Sequence, residues 1–107
     1  MTTIKKESEP TLSQLQEMIC DFTYAHGWNN YHSGRTLSTS VAIEAAELLE
    51  HFQWIEPGPE KYEEIRLEAA DILIYLLQFC KHKDIDLAQA VQDKMAINAT
   101  RWPLEEK

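Results

Sequence analysis

The 107-residue chain is 44% hydrophobic and 26% charged, the composition of an ordinary globular protein, and its length fits one small domain with little room for a second. Ten Lys and Arg against eighteen Asp and Glu leave a net charge of −8, which argues against a DNA or RNA polymer partner, since such binders neutralise phosphates with cationic side chains. A small phosphorylated ligand stays compatible with this charge provided that metal ions reverse it locally.

Residues 1–10 are polar and charged, unlike a signal peptide, and read as a flexible lead-in ending at Pro10; residues 11–107 read as a single helical domain. Thr11 opens the first helix, with Gln14 placed where a capping box requires it. Leu15, Met18, Ile19 and Phe22 form its apolar stripe, and the helix ends near Gly27. Residues 27–36 make a loop rich in turn formers and aromatic side chains. A second helix is predicted from about Leu37 to Phe52, and Pro57-Gly58-Pro59 then breaks the chain.

A third helix is predicted from about Glu60 to His82. Its stretch Ile72 to Cys80 is apolar almost all the way round, whereas a surface helix of a small monomer buries one stripe. Full cover therefore implies a homo-oligomer whose interface includes this helix. Asp86, with Gln89 three residues on, caps a fourth helix that ends before Pro103. Four helices with short connections predict an all-α, antiparallel four-helix bundle completed by oligomerisation. The longest apolar run, Ile72 to Leu77, is too short to span a bilayer, so no membrane partner is expected. Cys20 and Cys80 belong to no CxxC pair and read as buried thiols in a reducing cytoplasm.

Two acid pairs carry the chemistry. Glu44 and Glu47 stand at i and i+3 on the second helix, and Glu68 and Asp71 repeat that spacing on the third. Both pairs are set among Val, Ile, Leu and Ala rather than among further charge. With a rise of about 1.5 Å per residue, Glu47 and Glu68 lie roughly 10 and 12 Å from the hairpin turn, and Glu44 and Asp71 roughly 15 and 16 Å. The pairs thus face each other level by level. Two carboxylates about 4 Å apart repel by roughly 1 kcal/mol in water and about 4 at an effective dielectric of 20, so protons or cations must offset the repulsion. An all-oxygen cluster suits Mg²⁺, with Mn²⁺ as an alternative. A di-iron bundle would offer Glu-x-x-His, but His51 lies four residues after Glu47, not three. His26, His51 and His82 do not converge in sequence and are assigned no role.

Lys94, Asn98 and Arg101 form a polar strip on the fourth helix, suited to phosphate or equally to a solvated face near the helix C-terminus. Trp28, Tyr31 and Trp54 flank the ends of the second helix, where aromatic rings can stack on a base or anchor packing. Tyr75 sits one turn beyond Asp71 and can direct its hydroxyl to the acids. His32 can donate to a phosphate or a base edge.

The run Glu44-Ala-Ala-Glu47-Leu-Leu-Glu-His-Phe-Gln-Trp54, followed by Glu68-Ala-Ala-Asp71-Ile-Leu-Ile-Tyr75, resembles the MazG-like all-α nucleoside triphosphate pyrophosphohydrolases, in particular the branch that includes dCTP pyrophosphatases. The likeness runs from about Thr11 onward and takes in Trp28-Asn-Asn-Tyr31-His32 and Lys94-Met-Ala-Ile-Asn98-Ala-Thr-Arg101-Trp-Pro103. It implies Mg²⁺ on the four acids, and hydrolysis of a (deoxy)nucleoside triphosphate such as dCTP or a modified dCTP to monophosphate and pyrophosphate. It further implies dimers or dimers of dimers with sites completed across the interface. By position, Trp28, His32 and Trp54 would enclose the nucleoside, and Tyr75, Lys94 and Asn98 would contact sugar or phosphates. Close relatives read His-x-Pro-x-Asn-Leu where this chain has His32-Ser-Gly34-Arg35-Thr36-Leu37, which leaves the choice of nucleotide open. The alternatives are a related pyrophosphohydrolase for phosphoribosyl-ATP or damaged nucleotides, and a non-catalytic helical interaction module stabilised by a cation.

Overall fold

The computed structural model describes residues 8–105, and these are all-helical, with no strand among them. The expected lead-in therefore falls largely outside the described residues. Helix α1 spans Leu12–Ala25 and opens with the anticipated capping box: the Thr11 hydroxyl accepts from the Gln14 N–H, and the Gln14 side chain accepts from the Thr11 N–H. It stops at His26, and Gly27 takes a left-handed φ of 69°, which a residue without Cβ adopts freely. One turn of 3₁₀ helix, Trp28–Tyr31, follows.

Helix α2 spans Gly34–Glu50 and so starts three residues earlier than the sequence reading placed it. The reason is a second cap: the Ser33 hydroxyl accepts from the Thr36 N–H while the Thr36 hydroxyl accepts from the Ser33 N–H. Ser-Gly-Arg-Thr is thus a helix start rather than the end of the loop. After the hairpin, a 3₁₀ turn at Pro59–Lys61 leads into α3, Tyr62–His82. Helix α4, Leu87–Arg101, opens with the Asp86 carboxylate accepting from the Gln89 N–H, as expected.

Helices α2 and α3 form the main packing unit and run antiparallel. The first residue of α2, Gly34, approaches the Lys83 stem just past the end of α3, and His51 at the other end of α2 meets Glu68. Helix α1 is tied to α3 by the Gln16 amide donating to the Leu77 carbonyl at 2.9 Å and the Thr23 hydroxyl donating to Gln78 Oε1 at 3.2 Å. Leu37, Leu77, Cys80 and Cys20 make the buried apolar centre, joined by Thr23 and Gln78. Burial pushes both thiols above their ordinary range, and neither is in a disulfide.

Burial on three helices refines the expectations from sequence. The stripe on α1 is covered in part: Leu15 and Ile19 are half-buried while Met18 is 61% and Phe22 57% exposed, and Cys20 and Thr23 are the buried residues of the helix. The apolar run of α3 is already half-buried or buried from residue 71 to 80, and most large exposed apolar side chains lie on other elements. Helix α4, expected as the fourth member of a bundle, buries no residue, and Val91, Met95 and Ile97 stay at least half exposed. Within one chain the packed body is α1, α2 and α3. Among the described residues no helix is long and apolar enough to cross a membrane.

Candidate active site

The antiparallel pairing of α2 and α3 places all four acids on half-buried positions. Glu44 is the most perturbed. Burial, together with the charge and hydrogen bonding of Glu47 and then of Asp71, pushes its carboxyl up to about 7. Three of the four acids therefore meet across the helix pair, as their spacing predicts. Glu68 lies on the side nearer the hairpin, where its Oε2 is 3.9 Å from His51 Nε2. Among the described residues, no three Asp, Glu, His or Cys side chains already form a ligand shell; the observed relation is acid upon acid. The donor set nevertheless fits a hard divalent cation, being all carboxylate oxygen in a half-buried setting where unrelieved charge is costly.

Beside the acids opens a mainly apolar cleft of about 580 Å³ between α1 and α3. Met18, Ile19, Phe22 and Thr23 line it from α1, Trp28 and His32 from the loop, and Asp71, Ile74, Tyr75 and Gln78 from α3. Such a concave apolar surface with a few convergent polar groups is typical of small-molecule sites. Asp71 belongs both to the cleft wall and to the acid cluster. Trp28 is held in a short stack: the His26 ring is 4.3 Å from Phe22 and 4.5 Å from Trp28, while Phe22 meets Trp28 edge-on at 5.7 Å. His26 Nδ1 lies 2.9 Å from the Phe22 carbonyl, which fixes that ring in turn.

Of the residues singled out from sequence, Trp28, His32, Tyr75 and Asp71 thus come together, with Glu44 and Glu47 adjoining. Three others lie apart from this cleft. Trp54 stands 85% exposed in the hairpin, Lys94 is exposed on α4, and Asn98 on the same helix is only half-buried. Sequence reasoning missed the contribution of α1, although Met18 and Phe22 were visible as an apolar stripe; they line a cavity instead of a core. It also missed Thr23 and Gln78, whose polarity within apolar runs was the available signal. His51 and His26, assigned no role, respectively face Glu68 and brace Trp28.

The sequence profile of the MazG-like family matches residues 39–107, a span that includes both acid pairs and α4. The chain belongs to the MazG-like family. This MazG-like chain is 36% identical over 105 residues to dCTP pyrophosphatase 1 of Bos taurus, covering 91% of its own length and 62% of that protein. It is 35% identical over 103 residues to dCTP pyrophosphatase 1 of Homo sapiens, covering 89% of itself and 61% of the human protein. The chain therefore spans about three-fifths of the length of these curated relatives. Among solved structures it is similar to a pyrophosphatase from Archaeoglobus fulgidus, with a TM-score of 0.77 and 35% identity, covering 94% of this chain and all of that one.

Proposed function

We propose that this MazG-like chain is a nucleoside triphosphate pyrophosphohydrolase that converts a (deoxy)nucleoside triphosphate, such as dCTP or a modified dCTP, to monophosphate and pyrophosphate. The observation that carries this is the double membership of Asp71, one wall residue of an apolar cleft and one member of a crowded acid cluster. A nucleotide has the matching asymmetry, with a flat base at one end and polyanionic phosphates at the other. The names of the relatives support the same class of reaction.

Glu44, Glu47, Glu68 and Asp71 would hold Mg²⁺ or Mn²⁺. Bound there, such ions neutralise the triphosphate, orient it and make water a better nucleophile. The chain's own side chains do the rest. Trp28, fixed by His26 and Phe22, offers a ring for base stacking, and Ile74, Met18 and Phe22 exclude water around it. His32 from the loop and Tyr75 from α3 supply hydrogen-bonding groups to the same cleft.

Trp54, Lys94 and Asn98 would join the site from a second copy of the chain, in a dimer or dimer of dimers. Support comes from the cleft's lining within one chain, which does not include them, and from the uncovered Val91, Met95, Ile97 and Trp102 of the C-terminal region. A cytoplasmic setting suits the two buried free thiols.

Incubation with a panel of nucleoside triphosphates and Mg²⁺, followed by product separation, tests the proposal. Monophosphate with pyrophosphate supports it. Inactivity toward every triphosphate, or release of orthophosphate alone, overturns it.

A further inference from the structure

We infer that His51 is a positioning residue for Glu68: its imidazole N–H orients that carboxylate toward the cation, so that the strength of metal binding depends on a side chain outside the acid set. The inference rests on the metal-site proposal above. Its own ground is local geometry. His51 Nε2 is 3.9 Å from Glu68 Oε2, and the two side chains retain only 17% and 20% of their accessible surface. Glu44 packs against Glu47 and Asp71, whereas Glu68 is set against His51.

His51 has a simpler possible use. It is the C-cap residue of α2, and a histidine there can interact with the last carbonyls of its helix. In this structure the His51 ring faces the Glu68 carboxylate on α3. At 3.9 Å the pair is longer than a hydrogen bond, so the imidazole stands ready to donate without yet clamping the carboxylate. A carboxylate ligand with a second hydrogen-bonding partner keeps one oxygen aimed at its cation, and losing such a partner typically weakens metal affinity about 10- to 100-fold. The donor is one full turn past Glu47 on α2, so the same helix that supplies two acids also steadies a third on the facing helix.

The test is Mn²⁺ titration of the full chain, followed by the electron paramagnetic resonance signal of free Mn²⁺, with apo melting temperatures measured alongside. His51→Leu is expected to weaken Mn²⁺ binding about tenfold or more at an unchanged apo melting temperature. His51→Gln, whose amide can still donate, is expected to recover most of the loss. Equal Mn²⁺ affinity in wild type and His51→Leu overturns the inference while leaving the metal site standing. So does a loss that His51→Gln does not recover, or one matched by an equal drop in apo stability. Absence of Mn²⁺ binding by the wild type overturns the metal site and the inference together.

Discussion

Thr23 on α1 and Gln78 on α3 are buried together at the wall of the cleft, the Thr23 hydroxyl donating to Gln78 Oε1 at 3.2 Å. The Gln78 amide in turn donates to the Ile74 carbonyl one turn back, at 3.3 Å. The pair joins α1 to the helix that carries Glu68 and Asp71, so it fixes the cleft relative to the acids.

Thr23→Val leaves Gln78 Oε1 buried without its donor and is expected to cost about 1–3 kcal/mol. The double variant Thr23→Val with Gln78→Met removes both partners and should regain much of that loss. Urea denaturation of the single and double variants gives the coupling; purely additive losses would deny the bond its structural role.

Glu44 predicts the pH dependence of metal-free stability. Its carboxyl is at about 7 in the folded chain against 4.5 when unperturbed, so between those values the folded state holds the extra proton. That stability is fully present below 4.5 and lost as pH rises through about 7. The melting temperature in EDTA should therefore fall from pH 5 to pH 8. Glu44→Gln should flatten the slope, and an unchanged slope would mean that the acids are not packed against one another.

Asp71→Asn and Glu47→Gln are expected to lower turnover well beyond about a hundredfold, the upper range for losing mere outer partners of a metal site. Helical circular dichroism should be retained. Either variant at wild-type rate removes that residue from the site.

Trp28→Ala should raise KM roughly 5- to 150-fold, the equivalent of about 1–3 kcal/mol for one base stacked on an aromatic ring. A fall confined to kcat would assign Trp28 to something other than holding the base.

Assembly has a complementation test. Glu47→Gln lacks an acid and Lys94→Ala lacks the α4 cation, so each alone should be weak. If the site is shared between copies, re-equilibrating an equal mixture should restore about a quarter of wild-type activity, because half the dimers are mixed and each holds one intact site. No recovery on mixing would place Lys94 in the same chain's site or in none.

Features written in local spacing were legible from sequence: the caps at Thr11 and Asp86, and the approach of Asp71 on α3 to Glu44 and Glu47 on α2 once the two helices run antiparallel. The Ser33–Thr36 cap was equally local but was hidden inside a run of turn formers. What depends on how helices cross was not legible. An amphipathic stripe does not say whether Met18 and Phe22 meet a core or a cavity, and no spacing rule carries His51 to Glu68 across the hairpin. Helix α4 shows the same limit, since its apolar residues cannot reveal whether the surface they face belongs to the same chain.

The shared position of Asp71 couples two equilibria. An occupant of the apolar cleft and a cation on the acids both engage or adjoin this one carboxylate. By thermodynamic reciprocity, whatever factor the cation contributes to nucleoside affinity, the nucleoside contributes to cation affinity. A dephosphorylated nucleoside, with no phosphates to bridge the two regions, should then still shift the midpoint of a metal titration through Asp71 alone.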